Sequence, residues 1–183
     1  MNTALVVIDI QMDYFPGGAM ELSGSEAAAA KAGRALGWFR EKGWPVIHVQ
    51  HLAARSGAAF LVPGTPGVEF HPFVAPKDGE TVIQKHFPNS FRGTALQDKL
   101  DEFNVKRLCI VGMMTHMCVD ATTRAAFDLG YQCVVLADAC ATRELEFGHV
   151  KVHAAHVQAS FMAALAAVYA DVTGVKDMAA SLG

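Results

Sequence analysis

A chain of 183 residues can build one domain with a sizeable core, and 15 Lys plus Arg against 18 Asp plus Glu leave a net charge of −3. Charge so nearly balanced, with no basic block or stripe, argues against nucleic acid or an anionic membrane as partner. The apolar fraction of 52% is dispersed, and no apolar run approaches the length of a membrane span.

In chain order, Leu5 to Ile8 reads as a strand buried on both faces and ending at Asp9. A loop from Gln11 to Gly18 holds Asp13 and Tyr14. A helix is expected from about Glu26 to Lys42, capped by Ser23 or Ser25 and ended by Gly43. Pro45 to Val49 is a second strand. Leu52 to Gly79 is long, irregular and rich in Gly and Pro, as binding loops or lids often are. Thr81 to Gln84 is a third strand, ending at Lys85. Thr94 caps a helix running to about Phe103, and Arg107 to Val111 is the fourth strand. Gly112 breaks that run. A helix follows with Cys118 in its first turn and Gly130 as its C-terminal glycine. Gln132 to Leu136 is a fifth strand, a last helix is expected over about His149 to Tyr169, and a short final strand fits near Asp171 to Thr173.

Strands alternating with helices predict a mostly parallel sheet covered on both faces, in a single domain over residues 1–183. Ligands bind such sheets beyond the carboxyl ends of the strands. Asp9, Lys85 and Cys118 all fall at that rim. Taken singly, Cys118 reads as either a nucleophile or a small buried hydrophobe, Asp9 as a base or a turn acid, and Lys85 as a charge partner or a solvated strand end. Together they read as chemistry. A helix N-terminus and a neighbouring cation favour a thiolate, so Lys85 is expected to depress the Cys118 pKa while Asp9 acts as general base and then acid. Cys109, Cys118, Cys133 and Cys140 include no CxxC pair and no zinc-ligand spacing, which suits reduced thiols in a cytoplasmic protein. The start has no basic region and reaches an acid at Asp9 too early for a signal peptide.

Three ordered motifs resemble the isochorismatase-like cysteine hydrolases: Val-Val-Ile-Asp9-Ile-Gln11-Met-Asp13-Tyr14, then Gln-Lys85-His-Phe-Pro-Asn-Ser-Phe91, then Val-Gly112-Met-Met114-Thr115-His-Met-Cys118. The resemblance covers nearly the whole chain. It implies a six-stranded α/β/α sandwich of Rossmann-like order and a catalytic triad of Asp9, Lys85 and Cys118. By the same resemblance Met113–Met114 looks like a non-proline cis peptide aiming the Met114 N–H, with that of Cys118, at an oxyanion. The metal-binding nicotinamidase branch carries Asp-x-His after the second strand. Here the stretch is Ile47-His48-Val49-Gln50-His51, so His48, His51 and His71 are not expected to hold a metal, and no cofactor is required.

The family's ether-cleaving branch typically lacks the nucleophilic cysteine, so Cys118 favours attack on a carbonyl. The expected function is hydrolysis of a C–N bond in a small amide, ureide or carbamate through a thioester. Tyr14, Phe87, His116 and Phe91 are candidate pocket residues. A vinyl-ether hydrolase and a non-catalytic interaction protein are the competing expectations. A homodimer or homotetramer is implied by the resemblance.

Overall fold

Strand β1 (Thr3–Ile8) has no exposed residue, and the sheet grows outward from it. The structure, a computed structural model, describes residues 2–183. Around β1 are β2 (Val46–His51), β3 (Thr81–Lys85), β4 (Arg107–Met113), β5 (Gln132–Ala141) and β8 (Asp171–Thr173). Their spatial order is β3-β2-β1-β4-β5-β8, and every neighbouring pair is parallel. Such a sheet must be covered on both sides, because side chains alternate between faces. Leu5, Val7, Cys109 and Val111 pack toward α1 (Ser25–Glu41), which offers Ala28, Ala29, Ala32 and Leu36. Val6, Ile8, Leu108 and Ile110 pack on the other face with Leu96 and Leu100 of α2 (Leu96–Glu102), Ala126 of α3 (Asp120–Asp128) and Leu165 of α4 (Ala154–Val168). The result is a three-layer α/β/α sandwich. Among the described residues no helix is long and apolar enough to cross a membrane.

Several boundaries differ from the sequence expectation: β5 runs on from Leu136 to Ala141, β4 from Val111 to Met113, and Ala95 rather than Thr94 is the N-cap of α2. Residues 145–152 form a hairpin, β6 (Leu145–Phe147) against β7 (Val150–Val152), so α4 starts at Ala154 rather than His149. Gly148, at φ +62°, turns that hairpin, and β-branched Val150 and Val152 suit a strand. Gly24, left-handed at φ 71°, occupies the N-cap of α1 in place of either serine. Strand β2 runs on to His51, paired with Lys85 of β3, and Gln11 grips both backbone groups of that residue: its Oε1 accepts the His51 N–H at 2.8 Å and its Nε2 donates to the His51 carbonyl at 3.0 Å.

One glycine positions the site. Gly112 has φ +147°, and a Cβ there would meet the Ile8 carbonyl and side chain. Only glycine lets β4 pass the end of β1 at the point where β1 hands over to Asp9.

Candidate active site

Asp9 follows β1, His51 ends β2, Lys85 ends β3, and Cys118 lies in the turn after β4, so the carboxyl rim of four adjacent strands carries all four groups. Asp9 stands at φ +51°, a region Asp tolerates better than most residues. Its own N–H donates to Val49 O at 3.0 Å, which holds it against β2. Lys85 Nζ lies 2.7 Å from Asp9 Oδ2, and neither side chain has any solvent exposure. The ammonium also donates to Phe87 O at 3.1 Å and Pro88 O at 3.4 Å. It reaches His51 Nδ1 at 3.1 Å. An ammonium has only donors, so His51 Nδ1 accepts and the neutral ring carries its proton on Nε2. Burial first, and then the Lys85 charge, lower the His51 pKa, in keeping with that neutral form.

Cys118 is buried in a π-helical turn, Thr115–Val119, that precedes α3 rather than in the first turn of a regular helix. The Met113–Met114 peptide just before it is cis. Two bonds fasten the turn to its surroundings: Thr115 Oγ1 donates to Gln158 Oε1 at 2.7 Å, and His116 Nδ1 pairs with Thr142 Oγ1 at 2.6 Å. The expected depression of the Cys118 pKa is not what this environment produces. Burial pushes the thiol up, Asp9 pushes it further, and Lys85 offsets only part of this. Lys85 itself, lowered by burial but raised more by Asp9 and Cys118, stays an ammonium. The resting site is therefore a neutral thiol beside an ion pair, with the Asp9 carboxylate and the Cys118 sulfur within 4.8 Å of each other. A base poised beside a thiol can take its proton as the sulfur attacks.

The candidate pocket residues separate. Tyr14 is buried next to the triad; burial, then the charges of Asp9 and Cys118, raise its hydroxyl well above its ordinary value. Phe87 lines a cavity of about 510 Å³ together with His51, Leu61 and His86. Phe91 instead stacks on Tyr131, with ring centroids 6.1 Å apart, against the core of the α2–α3–α4 face. His116 faces Phe161 and Thr142 on the α4 side. The three candidate metal histidines are also dispersed. His48 Nε2 pairs with Glu80 at 2.8 Å and His71 stacks on Phe15 at 4.1 Å, while His51 alone reaches the triad. Among the described residues Asp9, His51 and Cys118 are the one trio with metal-ligating atoms within 4.8 Å of one another, and the Lys85 ammonium already supplies positive charge there.

Two residues outside the expected triad and pocket build the surroundings. His51 is reached by extending the strand-end rule to β2. Asp13 ties the long loop down: its carboxylate accepts Ala19 N–H at 3.2 Å and Leu61 N–H at 2.5 Å, and Gly67 packs so closely that a Cβ would strike it. Phe60 leans on Tyr14 as a consequence, with centroids 6.1 Å apart.

A parallel sheet covered on both faces, with thiol, carboxylate and ammonium gathered at its carboxyl rim, defines the isochorismatase class of α/β proteins. The family model described as the isochorismatase domain matches residues 3–170, and the chain belongs to that family of hydrolases. It is 54% identical over 172 residues to the isochorismatase family protein YddQ of Bacillus subtilis, covering 94% of this chain and 96% of that one. A crystal structure of an isochorismatase hydrolase from Oleispira antarctica superposes with a TM-score of 0.94 at 49% identity, over 98% of this chain and 96% of that chain. A more distant relative is the nicotinamidase of Escherichia coli, 26% identical over 174 residues, spanning 75% of this chain and 82% of that protein.

Proposed function

We propose that the protein is a cysteine-dependent amidohydrolase that cleaves a C–N bond in a small amide, ureide or carbamate. The observation that carries this reading is the apposition of a buried Asp9–Lys85 ion pair to the Cys118 thiol at the strand rim. A buried ion pair is a costly feature to keep for stability alone. The relationship to an amidase, at 26% identity, supports the same bond type.

In the proposed reaction, Cys118 Sγ attacks the substrate carbonyl carbon as its proton passes to Asp9. The carbonyl π electrons move to oxygen, which the backbone N–H groups of Met114 and Cys118 receive. The tetrahedral species collapses, the C–N bond breaks, and Asp9 returns the proton to the departing nitrogen. A thioester remains. Water then attacks it, losing a proton to Asp9, and as the C–S bond breaks the sulfur recovers that proton. Lys85 stays charged throughout and holds the Asp9 carboxylate in place.

The test is turnover of a panel of primary amides, ureides and carbamates, read as ammonia release. Cys118→Ala and Asp9→Asn are each expected to lose on the order of 10⁴-fold in kcat/KM. Ammonia release that survives Cys118→Ala overturns the cysteine mechanism, whereas a panel that releases no ammonia while a vinyl ether is cleaved, with or without Cys118, favours the ether hydrolase.

A further inference from the structure

The residues around the mouth of the site have a charge pattern that the chemistry above does not use. The cavity of about 510 Å³ reaches the triad through His51, and its lining contains three titratable side chains, His51, Arg55 and His86, all basic. Among the described residues no Asp or Glu lines it. His51 spends Nδ1 on Lys85, which leaves Nε2–H as a donor. His86 Nδ1 donates to Leu52 O at 2.8 Å, as a carbonyl can only accept. Arg55 is exposed and forms no hydrogen bond or ion pair through its guanidinium with any described residue.

The segment that carries Arg55 is tied at its base. Leu52 N–H donates to Lys85 O at 2.9 Å, and Ala53 N–H donates to Leu61 O at 2.8 Å, closing an excursion over the cavity. Asp13 holds the Leu61 end. Within it, Ala58 N–H returns to Arg55 O at 3.2 Å, with Gly57 left-handed at φ 74°. A free guanidinium is thus kept over a cavity floored by Phe87 and Leu61, in a protein whose net charge of −3 would otherwise repel anions.

We infer that the substrate amide carries a carboxylate, which Arg55 reads at the mouth of the cavity while the scissile carbonyl lies at Cys118. This rests on the cysteine reading above and names the substrate class for it. Guanidinium is the side chain best matched to a carboxylate, through paired N–H donors. The flat apolar floor and the His51 Nε2–H suit the chain and amide between the two ends.

The test compares two thiol-directed probes of nearly equal size, 3-maleimidopropionate and neutral N-propylmaleimide, by their second-order rates at Cys118, with the labelled cysteine identified by mass spectrometry. Sulfur adds to the maleimide double bond and the thiol proton ends on the adjacent carbon, so the two probes differ only in the carboxylate. Wild-type protein is expected to favour the anionic probe by roughly two- to fivefold, as for an exposed charge pair. Arg55→Leu brings the ratio to about one and Arg55→Lys retains part of it, whereas Lys106→Ala, a remote exposed change, leaves the ratio as it is. A wild-type ratio at or below one, or a ratio unmoved by Arg55→Leu, overturns the inference. If neither probe labels Cys118 faster than Cys109, Cys133 or Cys140, the nucleophile reading fails instead, and this inference with it.

Discussion

Lys85 holds more of the site together than any other side chain, and replacing it by Met is the most informative perturbation. Its ammonium contacts Asp9 at 2.7 Å and two backbone carbonyls and His51 at 3.1 to 3.4 Å, in a place without solvent. Lys85→Met keeps the volume of the aliphatic stem and removes the charge. Asp9 is left in the interior with no cation, and breaking a buried pair from one side typically costs about 3–5 kcal/mol. For a chain of this length that corresponds to a fall of roughly 6–20 °C in Tm. The double variant Asp9→Asn with Lys85→Met removes both charges and is expected to recover most of the loss, because the penalty belongs to the orphaned carboxylate. Thermal and urea melts of wild type, both single variants and the double variant give the coupling. A coupling near zero, with the double variant no more stable than the sum of the singles, refutes the buried-pair account.

Three other perturbations test other parts of the structure. Glu80 accepts from Arg40 at 2.7 and 2.8 Å and from Lys77 N–H at 2.9 Å, and pairs with His48 at 2.8 Å. Burial raises its pKa, but these bonds outweigh it and hold the carboxyl at about 2 against an ordinary 4.5. Its contribution is therefore complete above pH 4.5 and lost as pH falls toward 2; after discounting for solvent screening, Glu80→Gln costs about 1–2 kcal/mol at neutral pH and almost nothing near pH 2 in urea titrations. Gly112→Ala forces a Cβ against Ile8 and a strained φ, and is expected to cost at least about 2 kcal/mol in the same assay. Asp13→Ala orphans the Ala19 and Leu61 N–H groups and is expected to speed limited proteolysis between residues 52 and 61 and to raise KM more than it lowers kcat; unchanged cleavage there would remove Asp13 as the loop's anchor.

The layered fold was legible because its strands are short apolar runs buried on both faces, and Asp9 and Lys85 interrupt two of them at one rim. Two things were not. The electrostatic sense at Cys118 depends on how completely the site is buried, and sequence position cannot state that depth; proximity to Lys85 suggested a depressed thiol pKa, whereas desolvation and Asp9 set the direction. The role of His51 was also hidden. Its strand was expected to stop at Val49, whereas pairing with β3 continues to His51 opposite Lys85 and the long-range clamp from Gln11 holds that end. Phe91 and His116 stood near the right motifs, but their rings turn to Tyr131 and to Thr142 and Phe161, directions set by tertiary packing.

The measurement that tests the central claim most directly is capture of the acyl group from Cys118 by hydroxylamine during turnover. Amides sharing one acyl group but differing in the departing amine are hydrolysed with hydroxylamine present, and acid and hydroxamate are quantified. A common Cys118 thioester predicts one acid-to-hydroxamate ratio for every amine, with both products lost in Cys118→Ala. A ratio that changes with the amine, or hydrolysis that continues without Cys118, would contradict the mechanism.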